Sequence, residues 1–231
     1  MQKKLPFPFT LLFLLSISAG GVALGGTQAA SNERVLYSFG GSSDGAEPHA
    51  NLIMDPSGNL YGTTDSGGTS DVGTVFKLLP DGSEIVLYSF SGGSDGAYPY
   101  AGLILDTTGN FYGTTKQGGT SDQGTVFQIT PSGELTILYS FAGGDDGANP
   151  LAGLVMDEAG NLYGTTSLGG IENYGTIFKL APDGTESVLH SFWVYTFDGR
   201  SPAASMMRDK AGNLYAQPRP AGRVVTVSFS W

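Results

Sequence analysis

The sequence predicts an all-β protein of the β-propeller type, built from four repeats of one four-stranded antiparallel unit. Residues Gly58 to Thr64 spell Gly-Asn-Leu-Tyr-Gly-Thr-Thr, and close copies begin at Gly109 and Gly160, 51 positions apart each time. A fourth, altered copy begins at Gly212. A period of about 50 residues is typical of propeller blades, whose neighbours cover both faces of each sheet. The 36 glycines and 12 prolines supply the turns that many short strands require.

The N-terminal residues have the layout of a secretory signal. Two lysines precede a mostly apolar stretch from Phe7 to Leu24, and small residues follow it. We therefore assign residues 1–29 to a signal peptide and residues 30–231 to a single propeller domain that is secreted, periplasmic or on the cell surface. The strongest apolar core is shorter than a spanning helix needs, so no stable membrane insertion is expected after cleavage.

The composition of the exported chain excludes several classes of partner and site. Without residues 1–29, 9 basic residues stand against 21 acidic ones, a net charge of 9 − 21 = −12. Such a surface repels nucleic acid and anionic lipid. The chain contains no cysteine, which rules out disulfides and thiolate metal sites. Stability must therefore come from packing between the repeats.

Each repeat contains four predicted strands, named d, a, b and c in chain order. Strand d is Val35–Phe39, and a turn containing Asp44 leads to strand a, Asn51–Asp55. A tight Asp-Pro-Ser-Gly turn precedes strand b, Asn59–Thr64, and a Gly-Gly loop precedes strand c, Thr74–Leu79. The repeat segments are residues 35–85, 86–136, 137–187 and 188–231.

Strand c is apolar on both faces of its sheet. Val75 lies on one face and Phe76 on the other, and the same two positions are apolar in the next two copies. A two-sheet sandwich would show a cleaner alternation of apolar and polar residues. The residues expected to be buried between blades are Val75, Phe76, Val126, Phe127, Ile177 and Phe178.

The order of the strands predicts how the ring closes. One strand d precedes three complete a-b-c-d sets, and an a-b-c set follows them, for a total of sixteen strands. The first strand d, Val35–Phe39, is predicted to pair beside residues 224–229 and complete the last, degenerate blade. The alternative is an incomplete ring that self-associates.

Together, Gly-Asn-Leu-Tyr-Gly-Thr-Thr, Gly-Gly, Gly-Thr-Val-Phe and Asp-Gly-Ala-x-Pro resemble the GloVer tandem repeat. This repeat belongs to bacterial exported proteins named choice-of-anchor tandem repeat GloVer-containing proteins. The resemblance covers Val35 to about Leu214. It implies a secreted or surface protein of propeller type, often with a C-terminal sorting anchor, and no established activity. The chain departs from the pattern in its few repeats and after Tyr215, which leaves open a natural short form or a truncated relative.

Aspartates recur at the turn after strand d and are candidate cation ligands. The set is Asp44, Asp95, Asp146 and Asp198. If the blades are equivalent, these carboxylates share one rim, and oxygen ligands suit Ca²⁺. The alternative is an Asx-type turn, in which each carboxylate accepts hydrogen bonds from nearby backbone.

The two histidines occupy positions that other repeats fill with apolar or aromatic residues. His49 stands where other copies have Tyr100 or Leu151, and His190 stands where another has Tyr139. We interpret both as substituted aromatic or apolar positions. Two isolated histidines cannot build a zinc site without further ligands, so no metal or base role is assigned.

The Gly-Gly loops are the candidates for a binding rim, because loops vary at low cost while the blades hold them in place. The candidate ligand-binding residues are Thr69, Ser70, Asp71, Thr120, Ser121 and Asp122. Tyrosines such as Tyr61 recur in strand b and could stack on sugars, but packing between blades is the favoured interpretation.

These features favour an exported, non-catalytic binding or interaction module for an extracellular polymer, such as a carbohydrate, or for a protein partner. The alternative is a glycan lyase or hydrolase with carboxylates near the propeller axis. Catalysis usually requires one blade to depart from its siblings at a functional position, and no carboxylate pair stands out from the repeat. Ca²⁺ is the one cofactor considered.

We predict that the exported protein begins near Ala30. N-terminal sequencing or intact mass of protein recovered from the periplasm or the medium measures this directly. A full-length product retained in the cytosol would contradict the prediction.

Overall fold

The computed structural model describes residues 9–10, 34–193, 200–217 and 225–227. Three four-stranded antiparallel sheets follow one another along the chain, with a three-stranded sheet after them, which confirms the all-β, propeller-like prediction. Within these ranges the structure contains no helix with the length and apolar character that a membrane crossing requires.

The strands of each blade are hydrogen-bonded in chain order. The first blade comprises β3 (Ile53–Met54), β4 (Leu60–Thr64), β5 (Thr74–Leu78) and β6 (Glu84–Ser89). The second comprises β7 (Ile104–Leu105), β8 (Phe111–Thr115), β9 (Thr125–Ile129) and β10 (Leu135–Ser140). The third comprises β11 (Val155–Met156), β12 (Leu162–Thr166), β13 (Thr176–Leu180) and β14 (Glu186–Ser191). The fourth sheet comprises β15 (Met207–Arg208), β16 (Leu214–Ala216) and β17 (Val225–Val227), and the N-terminal pair is β1 (Phe9–Thr10) with β2 (Ser38–Phe39).

Strand a is shorter than predicted, and strand d begins earlier. Only Ile53–Met54 pairs with β4, because the amide of Asp55 already donates across the following turn (3.0 Å). Strand d pairs from Glu84 onward, because the amide of Leu79 bonds the carbonyl of Ser83 (2.8 Å) and closes the preceding turn there. The hydrogen bonds of the turns therefore fix the strand ends.

Strand d also carries a β-bulge that the sequence pattern did not predict. Val75 pairs with Tyr88. Phe76 pairs with Val86, so Leu87 is an extra residue on β6. The same shift recurs in the next two blades, where the extra residues are Leu138 and Leu189. A bulge increases the local twist, and both Leu87 and Tyr88 pack against the core shared with the second blade.

The core lies between the blades, as predicted. The six expected core residues of strand c are 0% exposed: Val75, Phe76, Val126, Phe127, Ile177 and Phe178. One cluster joins Tyr61 of the first blade to Phe111 of the second, and another joins Phe141 of the second blade to Leu162 of the third. Each sheet is apolar on both faces because a neighbour covers each face.

An edge-to-face pair of phenylalanines recurs at each of these interfaces. Phe90, directly after strand d, lies 5.4 Å from Phe127 of the next blade, ring centre to ring centre. Such pairs are attractive because the positive edge of one ring meets the negative face of the other. Phe39 makes the same contact with Phe76 at 4.9 Å. The N-terminal segment therefore packs on the first blade as strand d of a preceding blade would.

The hydrogen-bonded partner of this segment differs from the predicted closure. Ser38–Phe39 pairs antiparallel with Phe9–Thr10, whereas the prediction paired it with the C-terminal run 224–229. In the described part of that run, Val225–Val227 pairs with Leu214–Ala216. Packing fixes the face of β2, whereas the unpaired amides and carbonyls of a strand edge accept any extended segment that reaches them.

Substituting Phe127→Ala is expected to lower the free energy of unfolding by about 3–5 kcal/mol, the usual range for removing a buried aromatic ring. Denaturant unfolding of the variant beside the parent measures this difference. Ile85→Ala, at a 44% exposed position of β6, is the control and should change stability by less than about 1 kcal/mol. Equal losses in the two variants would contradict a core between the blades.

Candidate functional site

The connections between strands divide each blade into two ends, because consecutive strands are antiparallel. The d–a connections and b–c loops lie at one end, here named the upper rim. In the first blade the upper rim comprises residues 40–52 and 65–73. The a–b and c–d turns lie at the opposite end, the lower rim.

The Gly-Gly loop of the upper rim is packed tightly on the turn after strand d. Gly67 has a φ of 77°, and a Cβ at this position would lie 2.5 Å from the Cα of Gly45. The amide of Gly68 donates to the carbonyl of Ser42 at 2.7 Å. The loop is therefore held by backbone contacts, which leave its tip free to vary.

The six predicted ligand-binding residues lie at exposed loop tips: Thr69, Ser70, Asp71, Thr120, Ser121 and Asp122. The carboxylate of Asp71 accepts the amide of Gly67 at 3.0 Å and closes its loop. The carboxylate of Asp122 does the same with Gly118 at 2.9 Å. In the third blade the tip carries Ile171, which is 72% exposed. A binding role for these tips stays a prediction.

The aspartates considered as Ca²⁺ ligands are hydrogen-bonded within their turns. Asp44 accepts the amide of Gly40 at 2.6 Å and a tyrosine hydroxyl of the preceding segment at 3.1 Å. Asp95 and Asp146 make contacts of the same kind, and Asp198 lies outside the described residues. Burial acts to raise the pKa of Asp44, but its hydrogen bonds outweigh burial and hold the pKa below the usual value. The Ca²⁺ hypothesis for this set stays a prediction.

A glutamate at the start of strand d is influenced by the charge of Asp44. The Oε1 atom of Glu84 is buried and has no hydrogen-bond partner among the residues described. Loss of hydration, with the charge of Asp44 added, raises the pKa of Glu84 to about 7. Glu186, beside Asp146, is raised to a pKa of about 7 in the same way, whereas the second blade has Leu135 here. Two blades thus carry a carboxylic acid that stays protonated up to nearly neutral pH.

A second set of aspartates stabilises the turn into strand b at the lower rim. Asp106 accepts the amides of Thr108 and Asn110 at 2.8 and 2.9 Å. It also accepts the hydroxyl of Tyr112 at 2.9 Å. Burial opposes ionisation, but these hydrogen bonds outweigh it and lower the pKa of Asp106 to about 2. The equivalent aspartates are Asp55, Asp157 and Asp209. The recurring tyrosines therefore serve the turn and the interface between blades.

A groove also lies at the lower rim, between the second and third blades. Its volume is about 870 Å³, and its lining includes Asp106, Asp157, Asp183 and Arg208. Asp106 and Asp157 already accept several hydrogen bonds from their own turns. The oxygens of these two carboxylates are therefore already engaged by the protein.

A different group of side chains breaks the repeat at the upper rim of the first blade. In the described ranges, Glu47, His49 and Asp65 form one group whose ligand atoms all lie within 4.8 Å of one another. An antiparallel bridge brings them together: the amide of Ala46 donates to the carbonyl of Ser66 at 2.8 Å. Next to it, the amide of Asp65 donates to the carbonyl of Glu47 at 3.1 Å. Residues on facing positions of such a bridge have neighbouring side chains.

His49 has polar and aromatic neighbours, and its interpretation as a substituted aromatic or apolar position stays a prediction. Its Nε2 lies 3.9 Å from a carboxylate oxygen of Glu47, and its ring centre lies 5.1 Å from that of Tyr100 in the next blade. The signal that could have revealed the group is that three positions of one repeat depart from both sister copies. The second blade has Tyr98, Tyr100 and Lys116 at these positions, and the third has Asn149, Leu151 and Ser167.

The Asp65 carboxylate is the most enclosed member of the group. Its Oδ1 atom is buried and has no hydrogen-bond partner in the described part of the chain. Burial raises the pKa of Asp65, the positive charges of His49 and Lys116 partly offset it, and the charge of Glu47 adds to it. A positive charge placed beside this oxygen would therefore be stabilised.

Comparison with known sequences gives one clear result. The profile of the Gloeobacter/Verrucomicrobia repeat matches residues 17–224. A search of curated proteins gives no match to the chain.

Three solved structures are similar in fold. The extracellular domain of a hybrid two-component system from B. thetaiotaomicron has 14% identity and a TM-score of 0.54, over 78% of this chain and 21% of that one. A gluconolactonase from Xanthomonas campestris has 16% identity and a TM-score of 0.52, over 84% and 62%. A protein assigned as a 6-phosphogluconolactonase from Bacteroides uniformis has 20% identity and a TM-score of 0.52, over 82% and 55%. The chain spans less than two thirds of each protein, and identities this low establish the propeller-like fold alone.

Replacing Glu84→Gln should stabilise the protein increasingly as the pH rises from about 4.5 to 7. The ordinary pKa of this carboxyl is 4.5 and the folded value is about 7, so the unfolded chain releases its proton first and the parent loses stability across that interval. Below it both states are protonated, and above it the difference is constant. Urea unfolding at several pH values measures the effect.

The control for this experiment is Glu134→Gln, which removes one exposed surface charge. Its effect on stability should change much less between pH 4.5 and 7. Parallel curves for the two variants would contradict the buried environment of Glu84.

Proposed function

The chain belongs to the Gloeobacter/Verrucomicrobia repeat family, and from this premise we propose that it is an exported, non-catalytic binding module. Its upper rim engages an extracellular polymer or a protein partner. The signal peptide at residues 1–29 takes the chain across the inner membrane, and residues 30–231 form the binding domain.

The observation that carries the proposal is the repetition of one exposed loop on a rigid support. Gly67 and Gly118 pack against the backbone of the neighbouring turns, with a hypothetical Cβ 2.5 Å from the Cα of Gly45 or Gly96. Because these loops are already ordered, binding a ligand costs little further conformational entropy. Loops of this kind, held by a rigid scaffold, are where proteins commonly place binding residues.

The chemistry of the loop tips suits a ligand rich in hydroxyl groups. Ser70 in the first blade, and Thr120 and Ser121 in the second, present exposed hydroxyls that donate and accept hydrogen bonds. The hydroxyl of Thr69 already shares a hydrogen bond with that of Ser89 at 3.0 Å. The same tip at the same place in successive blades matches a polymer with a repeating unit. The strongly acidic surface disfavours anionic polymers, so a neutral polysaccharide is the preferred candidate.

A glycan array of neutral polysaccharides run beside a hydrolysis screen on the same carbohydrates tests the proposal. The protein should bind at least one glycan and release no product from it, because a binding module does not consume its ligand. Release of product from the bound glycan would favour the alternative, a lyase or hydrolase.

Paired substitutions locate the binding surface. The double variant Ser70→Arg and Ser121→Arg places bulky side chains on two upper-rim tips and should reduce binding about tenfold or more. The control, Ser132→Arg, adds the same side chain at an exposed c–d turn of the lower rim and should leave binding unchanged. A loss confined to the control would place the ligand at the lower rim and contradict the proposal.

A further inference from the structure

The group of Glu47, His49 and Asp65 combines the donor types of a transition-metal site. An imidazole nitrogen and two carboxylate oxygens lie within 4.8 Å of one another. Imidazole favours metals such as Zn²⁺, whereas Ca²⁺ sites use oxygen ligands. Three protein ligands with further positions open to water are typical of zinc sites that bind or activate a ligand.

The ligand atoms lie close together but not yet at coordination distance. Ligand atoms of a tetrahedral zinc site lie about 3.4 Å apart when the metal–ligand bonds are about 2.1 Å. The Nε2 of His49 lies 3.9 Å from Oε2 of Glu47, and the ligand atom of Asp65 lies within 4.8 Å of both. The side chains of His49 and Glu47 are 44% and 43% exposed, so they have room to rotate toward Asp65.

We propose that Glu47, His49 and Asp65 bind a divalent transition-metal cation of the Zn²⁺ class at the upper rim of the first blade. The site is distinct from the predicted loop tips and from the Asp44 set. It goes beyond the proposed binding function and does not depend on it.

Two observations support this proposal besides the donor set. The buried Oδ1 of Asp65 has no partner among the residues described, so a charged oxygen there is destabilised until a cation or a proton arrives. Lys116 is the nearby cation in the next blade, yet within the described ranges no lysine or arginine nitrogen lies within 4.0 Å of this carboxylate. A metal ion would supply the missing counter-charge.

The competing explanation is an ordinary surface pair of His49 and Glu47 beside a protonated Asp65. A surface ion pair contributes little to stability and has no requirement for metal. The two explanations differ in one observable, which is whether binding of a divalent cation depends on all three side chains.

Calorimetric titration of the chelator-treated, recovered protein with ZnCl₂ tests the proposal, with MnCl₂ and CaCl₂ titrated in parallel. We expect one Zn²⁺ per chain, weaker binding of Ca²⁺, and a higher Tm with Zn²⁺ than without it. The visible spectrum of the Co²⁺ form should report a coordinated imidazole that His49→Leu removes. A protein that binds none of these cations, or that prefers Ca²⁺, would overturn the proposal.

The variants can be taken from the sister blade, whose fold accepts them. Glu47→Asn, His49→Leu and Asp65→Ser convert the group into the residues of the third blade. Each should weaken Zn²⁺ binding at least about tenfold, since even the loss of a residue that only supports a metal ligand costs 10- to 100-fold. Each should also keep the Tm of the metal-free protein, which separates loss of the site from loss of the fold.

The control for these variants is Glu134→Gln, which removes an exposed carboxylate at a c–d turn of the lower rim. It should retain the affinity of the parent for Zn²⁺. Equal binding by the parent and all three site variants, or a loss in Glu134→Gln alone, would refute the assignment.

Discussion

The fold depends on the contact between a phenylalanine of strand c and the glycine opposite it in strand b. Gly62 pairs with Phe76, and a Cβ on this glycine would lie 2.8 Å from the Cζ of the ring. A bare backbone at this position leaves room for the ring, which Phe39 of the preceding segment covers. In the fourth sheet, Ala216 replaces the glycine and is paired with Val225. A larger residue in one strand is thus matched by a smaller one in its partner, so the altered copy remains consistent with the sheet.

The repeat made the blades predictable, whereas the strand ends and registers depended on hydrogen bonds that no spacing reveals. Strands b and c follow from the motif because their apolar pattern and flanking turns recur in each copy. The bulge at Leu87 could not be predicted from the sequence pattern, because apolar residues lie on both sides of it. The pairing of Ser38–Phe39 with Phe9–Thr10 was equally hidden, because a strand edge is not specific for one partner.

The candidate sites also include features that the sequence predicts and features that it does not. The exposure of loop tips such as Ser70 could be predicted, since a Gly-Gly loop between two strands lies at the surface. The proximity of Glu47 to Asp65 could not, because it depends on the bridge between Ala46 and Ser66, a contact between segments far apart in the sequence. That bridge brings Asp65 close to His49. Comparing whole repeats, and not single positions, would have revealed that one copy differs from the others at three places.

One position of the d–a connection holds the same backbone whatever its side chain. Glu47, Tyr98, Asn149 and Ser201 have φ angles of 56°, 57°, 53° and 48°, a left-handed conformation that residues other than glycine seldom adopt. Since four unlike side chains share it, the surrounding backbone imposes the conformation and residue type does not. A substitution at this position therefore changes the side chain displayed on the rim and leaves the conformation of the loop unchanged. A repeat protein of this design can acquire a new specificity in a single blade while the other blades keep theirs.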